Sequence, residues 1–254
     1  MTIGKSADFE VRLARTQDEL RAAQRLRYDV FVSELGGGGA RVDHDQRLEV
    51  DHFDDFVDHL ILVDKKTAQI IGVYRLLRRE MADAAGGFYS ENEYDLTSLK
   101  QSGREILELG RSCLHPDYRG GVAMHHLWAG LARYVATHRI EILFGVASFH
   151  GTDFAALAQP LSLLHHAYLA PADLRVRAVK TAFQSMDLIP EADLDRRRAM
   201  VQMPSLIKAY LRLGGCVGEG AYIDHAFNTT DVCLMMDTTQ LSDRQAKIYG
   251  AGQP

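Results

Sequence analysis

Between Glu105 and Gly121 a carboxylate and a guanidinium interrupt a run that is otherwise apolar. Ile106, Leu107, Leu109, Cys113 and Leu114 read as a central strand, with Glu108 and Arg111 set inside it. An unpaired charge is expensive in such a place. The two residues therefore either form a structural ion pair or serve a site. Positions three apart point to opposite faces of a regular strand. A bulge at Gly110 would reverse that parity and bring both side chains towards one place. Burial raises the pKa of a glutamate towards the range useful to a general base, which makes Glu108 the first candidate for proton transfer.

The strand runs into His115-Pro116-Asp117-Tyr118-Arg119-Gly120-Gly121 and then a helix, whose stripe is Met124, Leu127, Trp128, Leu131 and Val135. A glycine turn entering a helix leaves backbone N–H groups at the positive end of the dipole, and Arg119 adds a charged donor. Arg119, Gly120 and Gly121 are thus candidates for cradling a pyrophosphate or phosphopantetheine. The arrangement resembles the acyl-CoA turn of the GNAT acyltransferase superfamily, Arg/Gln-x-x-Gly-x-Gly/Ala. Val122 stands at the usual second glycine position, so a carrier-bound phosphopantetheine is expected ahead of acyl-CoA.

Composition bounds the rest. The chain has 254 residues, 46% hydrophobic and 25% charged, which suits one globular domain or one with an insertion. A net charge of −5 gives no pull towards nucleic acid. Cys113, Cys216 and Cys233 lie in apolar surroundings without CxxC spacing and read as reduced core residues of a cytosolic protein. No signal-peptide pattern opens the chain and no apolar run approaches about 18 residues. A cytoplasmic protein is expected, one that does not cross a membrane but is free to touch one.

Phe9–Leu13 alternates as a strand, and Thr16 with Glu19 reads as the capping box of a helix running to about Val32. Gly36–Gly39 lacks the Lys-Ser/Thr of a phosphate loop and reads as a connector. The acidic segment from Asp43 to Asp58 is either a solvated face or an attractor for a cationic substrate; its spacing is not that of a calcium loop. His59–Val63 and Gln69–Leu77 read as a strand pair, residues 80–104 as an irregular connection, and Ile142–Phe149 as another strand. Residues 154–204 look like a helical insertion, Ser205–Leu213 a short helix, and Cys216–Ile223 and Val232–Asp237 two last strands. The doublets His125-His126 and His165-His166 are poor metal pairs, because adjacent helical residues diverge. No metal is expected.

The expected fold is α/β (α+β), a GNAT-like mixed sheet with splayed central parallel strands. Its divisions are a core over 1–153, the helical insertion over 154–204, a completing helix and strand pair over 205–241, and a polar tail over 242–254.

The N-terminal half resembles the acyl-homoserine-lactone (autoinducer) synthases. Leu26-Arg27-Tyr28-Asp29-Val30-Phe31 matches their Leu-Arg-x3-Phe, and Glu49-Val50-Asp51-His52-Phe53-Asp54 their Glu-x-Asp-x-Phe/Tyr-Asp. Arg75, Glu108 and Arg111 match their strand residues. Glu34 and Gly37 depart from it, the latter where a tryptophan is usual. Glu108–Cys113, Ala147–Asp153, Pro204–Gly215 and Asp224–Asn228 resemble instead the ornithine N-acyltransferases, over nearly the whole chain.

That resemblance implies transfer of a 3-hydroxyacyl group from acyl carrier protein to the α-amine of L-ornithine, yielding lyso-ornithine lipid. It implies no tightly bound cofactor, only the carrier's 4′-phosphopantetheine arm. Glu108, Glu49 and Arg111 are then the catalytic candidates, and Asp51, Asp54, Arg75, Arg27, Ser148 and Asp153 the substrate-binding ones. On this view Glu49, Asp51 and Asp54 hold the cationic side chain, and Arg111 or Arg75 the carboxylate. Direct attack on a thioester needs no acyl-enzyme, so Cys113 is expected to pack. Basic Arg196–Arg198 or Arg175–Lys180 would meet the acidic carrier, and Leu157–Leu169 the acyl chain, the inner membrane or the core. The alternatives are the same chemistry on glutamine, glycine or lysine, a lactone synthase consuming S-adenosylmethionine, and a non-catalytic carrier- or lipid-binding module.

Overall fold

The computed structural model describes residues 8–38 and 41–242. Most of the expected polar tail, and Gly39 of the glycine run, fall outside them. β1 (Phe9–Leu13) leads to α1 (Gln17–Arg27). Thr16 caps α1, its hydroxyl accepting from the Glu19 N–H, while Glu19 itself accepts from the Arg15 N–H. The helix continues not as α but as a π-helical stretch, Tyr28–Glu34. Such widened turns re-aim side chains at functional sites.

β2 (Asp58–Asp64) and β3 (Gln69–Arg78) form the expected antiparallel pair. The stretch expected to be irregular is instead broken into α2 (Arg79–Ala85), a 3-10 turn at Tyr89–Asn92, β4 (Tyr94–Asp95) and α3 (Thr97–Gln101). Then come β5 (Ile106–Leu114), α4 (Ala123–His138) and β6 (Ile142–His150).

The insertion expected to be helical over 154–204 is only partly so. It holds α5 (Ala158–Tyr168) and α6 (Arg196–Gln202), but also β7 (Arg177–Ala178) and β8 (Phe183–Gln184). β8 extends the main sheet by pairing with β10, and β7 pairs with β4. Its apolar residues Leu161, Leu163, Leu164, Met186 and Ala199 share one core with Leu127 and Leu131 of α4, so the segment is part of the domain. Leu157–Leu169 is accordingly core, not a membrane-facing surface. α7 (Ser205–Arg212), β9 (Cys216–Val217), β10 (Ala221–Asp224) and β11 (Thr229–Asp237) complete the chain.

The sheet order is β1-β2-β3-β5-β6-β11-β10-β8, with β9 on β11. β5 and β6 run parallel and their neighbours antiparallel. Alternation along the strands divides the apolar residues between two layers. Leu60, Leu76, Leu107, Leu143, Leu234 and Met236 pack with α4, α5, α6 and α7. Leu77, Ile106, Phe144, Cys233 and Met235 pack with the 79–101 segment, and Ile61, Val73 and Cys113 with α1. No helix among the described residues is long and apolar enough to cross a membrane.

Candidate active site

β5 and β6 pair at Ile106↔Ile142, Leu107↔Leu143 and Glu108↔Phe144, and the register ends there. The strands part because β5 is bulged. Arg75 faces Gly110 and Val73 faces Cys113, so Tyr74 alone opposes both Arg111 and Ser112. The extra residue is Arg111 itself, at φ 50°, not Gly110 as expected. A left-handed arginine costs about 1–2 kcal/mol. It is held by the side chain: Nε bonds Glu49 Oε1 at 2.9 Å, Nη2 lies 3.5 Å from Asp51 Oδ2, and the guanidinium covers the Tyr89 ring at 4.9 Å. The predicted parity reversal follows, for Cys113 packs on the α1 face although Leu109 packs on the other. Gly145 marks the fork, since a Cβ there would lie 2.2 Å from the Leu109 carbonyl oxygen.

The opening is a cavity of about 440 Å³. Leu109, Leu206, Tyr210, Leu234 and Met236 line it from the helical layer, and Glu93, Glu108, Phe144 and Asp231 from the other. It therefore passes through the plane of the sheet, apolar on one side and charged on the other.

Behind its charged wall lies an arginine–carboxylate lattice. Arg27, wholly buried, bonds Glu49 Oε2 at 2.6 Å and both Asp54 oxygens at 2.7 and 2.8 Å. Arg75 Nη1 bonds Asp51 Oδ1 at 2.6 Å and Asp54 Oδ1 at 3.2 Å. Burial pushes all three carboxyls up, but Arg111 on Glu49, Arg75 on Asp51 and Arg27 on Asp54 hold them below the ordinary range. Three guanidinium groups thus cancel three carboxylates. This corrects the expectation that these acids face a cationic substrate: their charge is already met. Of the six, Glu49, Arg75 and Arg111 reach the cavity wall, whereas Arg27 sits in the second row and holds the others.

Glu108, 3% exposed, accepts from Ser90 N–H and Tyr89 N–H at 2.7 and 2.8 Å and from the Ser90 hydroxyl at 2.5 Å. Burial raises its carboxyl, the Ser90 bonds oppose the rise, and the net direction is upward. Ser148 lines the cavity opposite Asp231 on the neighbouring strand. Asp153 does not line it: it is exposed and accepts from the N–H groups of Ala155 and Ala156.

The Arg119-Gly120-Gly121 turn also lies off the cavity wall, past the end of β5, whose last residue Leu114 is already about 20 Å along the strand from Glu108 at roughly 3.3 Å per residue. Gly120 has φ 73°, as a tight turn needs. Arg119 is engaged: Nη1 and Nη2 meet Glu34 at 2.6 and 2.7 Å, and Nε donates to the Leu114 carbonyl at 3.1 Å. The departure noted at Glu34 is thus the partner of the expected anion donor. At Gly37 a Cβ would stand 2.7 Å from the Phe31 carbonyl oxygen, so no tryptophan fits.

Sequence reasoning missed three acids. Glu93, Asp224 and Asp231 offer carboxylate oxygens within 4.8 Å of one another, and all three line the cavity. Glu93 and Asp231 are each 4% exposed, and Glu93 Oε2 and Asp231 Oδ1 have no hydrogen-bond partner. Burial, then Asp231 and Asp224, pushes Glu93 up to about 9; burial pushes Asp231 up to about 6. The one signal was Asp231, a charge at the head of the apolar run 232–236 and so less conspicuous than Glu108, which has apolar neighbours on both sides.

Cys113 is buried and its thiol is pushed up to about 12, which fits packing and not nucleophilic attack. His165 and His166 converge, contrary to expectation, with ring centroids 5.0 Å apart beside Asp187, but His166 Nε2 is engaged with the Ile189 carbonyl at 2.9 Å.

An acetyltransferase (GNAT) domain model matches residues 26–129. An L-ornithine Nα-acyltransferase of Rhodobacter capsulatus is 58% identical over 95% of this chain and 94% of its own length. Those of Brucella abortus and Agrobacterium fabrum are 43% and 41% identical, covering 98% and 97% of this chain and 91% and 87% of theirs. Among solved structures, a CoA-dependent acyl-homoserine lactone synthase, BjaI, with S-adenosylmethionine and isopentyl-CoA, has a TM-score of 0.51 at 12% identity, covering 97% of this chain and 90% of its own. With its sheet forked at Glu108 and relatives alike from end to end, the chain belongs to the L-ornithine Nα-acyltransferase family, on the GNAT fold.

Proposed function

We propose that this enzyme transfers a 3-hydroxyacyl group from the phosphopantetheine thioester of acyl carrier protein to the α-amine of L-ornithine, giving lyso-ornithine lipid. The observation that carries the reading is the fork of β5 and β6 in a chain 58% identical to an enzyme named for that acceptor. An extended arm fits between the two strand edges, and the apolar half of the cavity suits an acyl chain.

In the reaction the amine nitrogen attacks the thioester carbon, the C–S bond breaks and an amide forms. Glu108, at the fork, takes the amine proton directly or through water and returns it to the leaving thiolate, so that amide and free thiol are the products. Backbone N–H groups of β5 and β6 beyond Glu108 and Phe144, where the strand pairing ends, stabilise the oxyanion. Glu49 holds Arg111, which with Arg75 receives the substrate carboxylate. The Arg119–Gly121 turn holds the phosphate of the arm once Glu34 yields its ion pair. Arg196–Arg198, exposed on α6, are the better docking face for the carrier. Arg175 is committed to the Ala170 carbonyl and Arg177 to Glu219. The reaction is set in the cytoplasm, with the product drawn to the inner membrane.

The test is a purified assay with 3-hydroxyacyl carrier protein and, separately, 3-hydroxyacyl-CoA, offering ornithine or glutamine and reading products by mass spectrometry. Ornithine amide from the carrier-bound donor is the expected product. Glu108→Gln should lower kcat by on the order of a hundredfold or more, with a much smaller change in KM. Glutamine amide as the main product, or full activity of the variant, refutes the proposal.

A further inference from the structure

We infer that Glu93, Asp224 and Asp231 form the pocket for the side-chain ammonium of the acceptor, and so set the preference for a diamino acid; this rests on the acyltransferase reading above. The other cavity acids are accounted for, Glu49 by arginines and Glu108 by three donors from Tyr89 and Ser90. Asp224 Oδ1 accepts from the Ala226 and Phe227 N–H groups and Asp231 Oδ2 from the Thr229 hydroxyl, but among the described residues no ion pair reaches Glu93, Asp224 or Asp231, and the buried Glu93 Oε2 and Asp231 Oδ1 have no partner. Carboxylates crowded in a low dielectric need either protons or a cation. A primary ammonium has three donors and no acceptor, which matches three converging carboxylates. Arg111 acts electrostatically on both Glu93 and Asp231. The carboxylate end of an amino acid therefore finds its partner beside the pocket for its other end. The alternative occupant is a divalent cation, whose shell the three carboxylates would share with water; the experiment separates the two.

The experiment compares kcat/KM for ornithine and for norvaline, which has the same carbon chain without the terminal amine. Wild type should favour ornithine on the order of a hundredfold or more, and Glu93→Gln and Asp231→Asn should each cut that ratio at least tenfold, mainly through KM for ornithine. Asp224→Asn, on the half-buried member, serves if either buried variant fails to fold by thermal melting. A wild-type ratio near one, or a ratio unmoved in the variants, overturns the inference while leaving the acyltransferase reading intact. Loss of activity on treatment with a chelator, restored by magnesium or calcium, also overturns it, assigning the cluster to a metal. A wild type that acylates neither amino acid strikes the underlying reading instead.

Discussion

Glu93→Gln should make this protein more stable at alkaline pH, against the usual outcome of altering a buried group. In the folded chain the carboxyl sits near 9, against an ordinary value of 4.5. The groups responsible are its own burial, then Asp231 and Asp224, with Arg111 opposing and Glu108 adding. A carboxyl whose folded pKa is raised binds more protons folded than unfolded between the two values. Stability is therefore lost as pH climbs through that window. From pH 5 to pH 8 the linkage relation gives a loss of about 4 kcal/mol from this group at roughly 1.4 kcal/mol per pKa unit. Gln has no such titration. The stability difference, variant minus wild type, should thus widen with pH by about that amount, lessened as the protein relaxes around the charge. Urea unfolding at pH 5, 6.5 and 8 measures it. Curves that stay parallel across the range would show that Glu93 is already ionised and paired, and the account of the acid cluster would fall with it.

Two more expectations concern residues beside the cavity. Arg27→Met leaves Glu49 and Asp54 buried without their shared partner and should cost about 3–5 kcal/mol in denaturant unfolding; Arg27→Lys should recover only part, because an ammonium cannot replace the forked guanidinium contacts. Cys113→Ala should keep kcat within about threefold of wild type, since a buried, protonated thiol supplies no nucleophile; a loss of several orders of magnitude would point to an acyl-enzyme.

What the sequence disclosed was whatever local chemistry determines. The Thr16 cap, the alternating β1, the apolar runs of β2 and β3, the stripe of α4 and the charge-bearing β5 all follow from neighbours in the chain. The bulge was foreseen from two charges that had to share a face, yet glycine drew it one position early, because the bonds from Arg111 to Glu49 and Asp51 outweigh the backbone preference. Residues 79–101 were illegible since their short elements lean on distant partners; the turn at Tyr89–Ser90 is pinned by Glu108. The motif acids Glu49, Asp51 and Asp54 were found but their role was misjudged, because a sequence does not show that each already has its arginine. Glu93, Asp224 and Asp231 belong to no common motif and meet only when β10 and β11 close on the turn before β4.

Three residue pairs, from Ile106↔Ile142 to Glu108↔Phe144, are all of the β5–β6 ladder that joins one half of the sheet to the other. Such a join has the form of tongs, with the contact of Gly145 against Leu109 as the pivot. The width of the gap is therefore fixed at Glu108 by the ladder and at the tips by nothing in the ladder, so the spacing at the reacting atoms is set independently of the girth of the donor arm farther out.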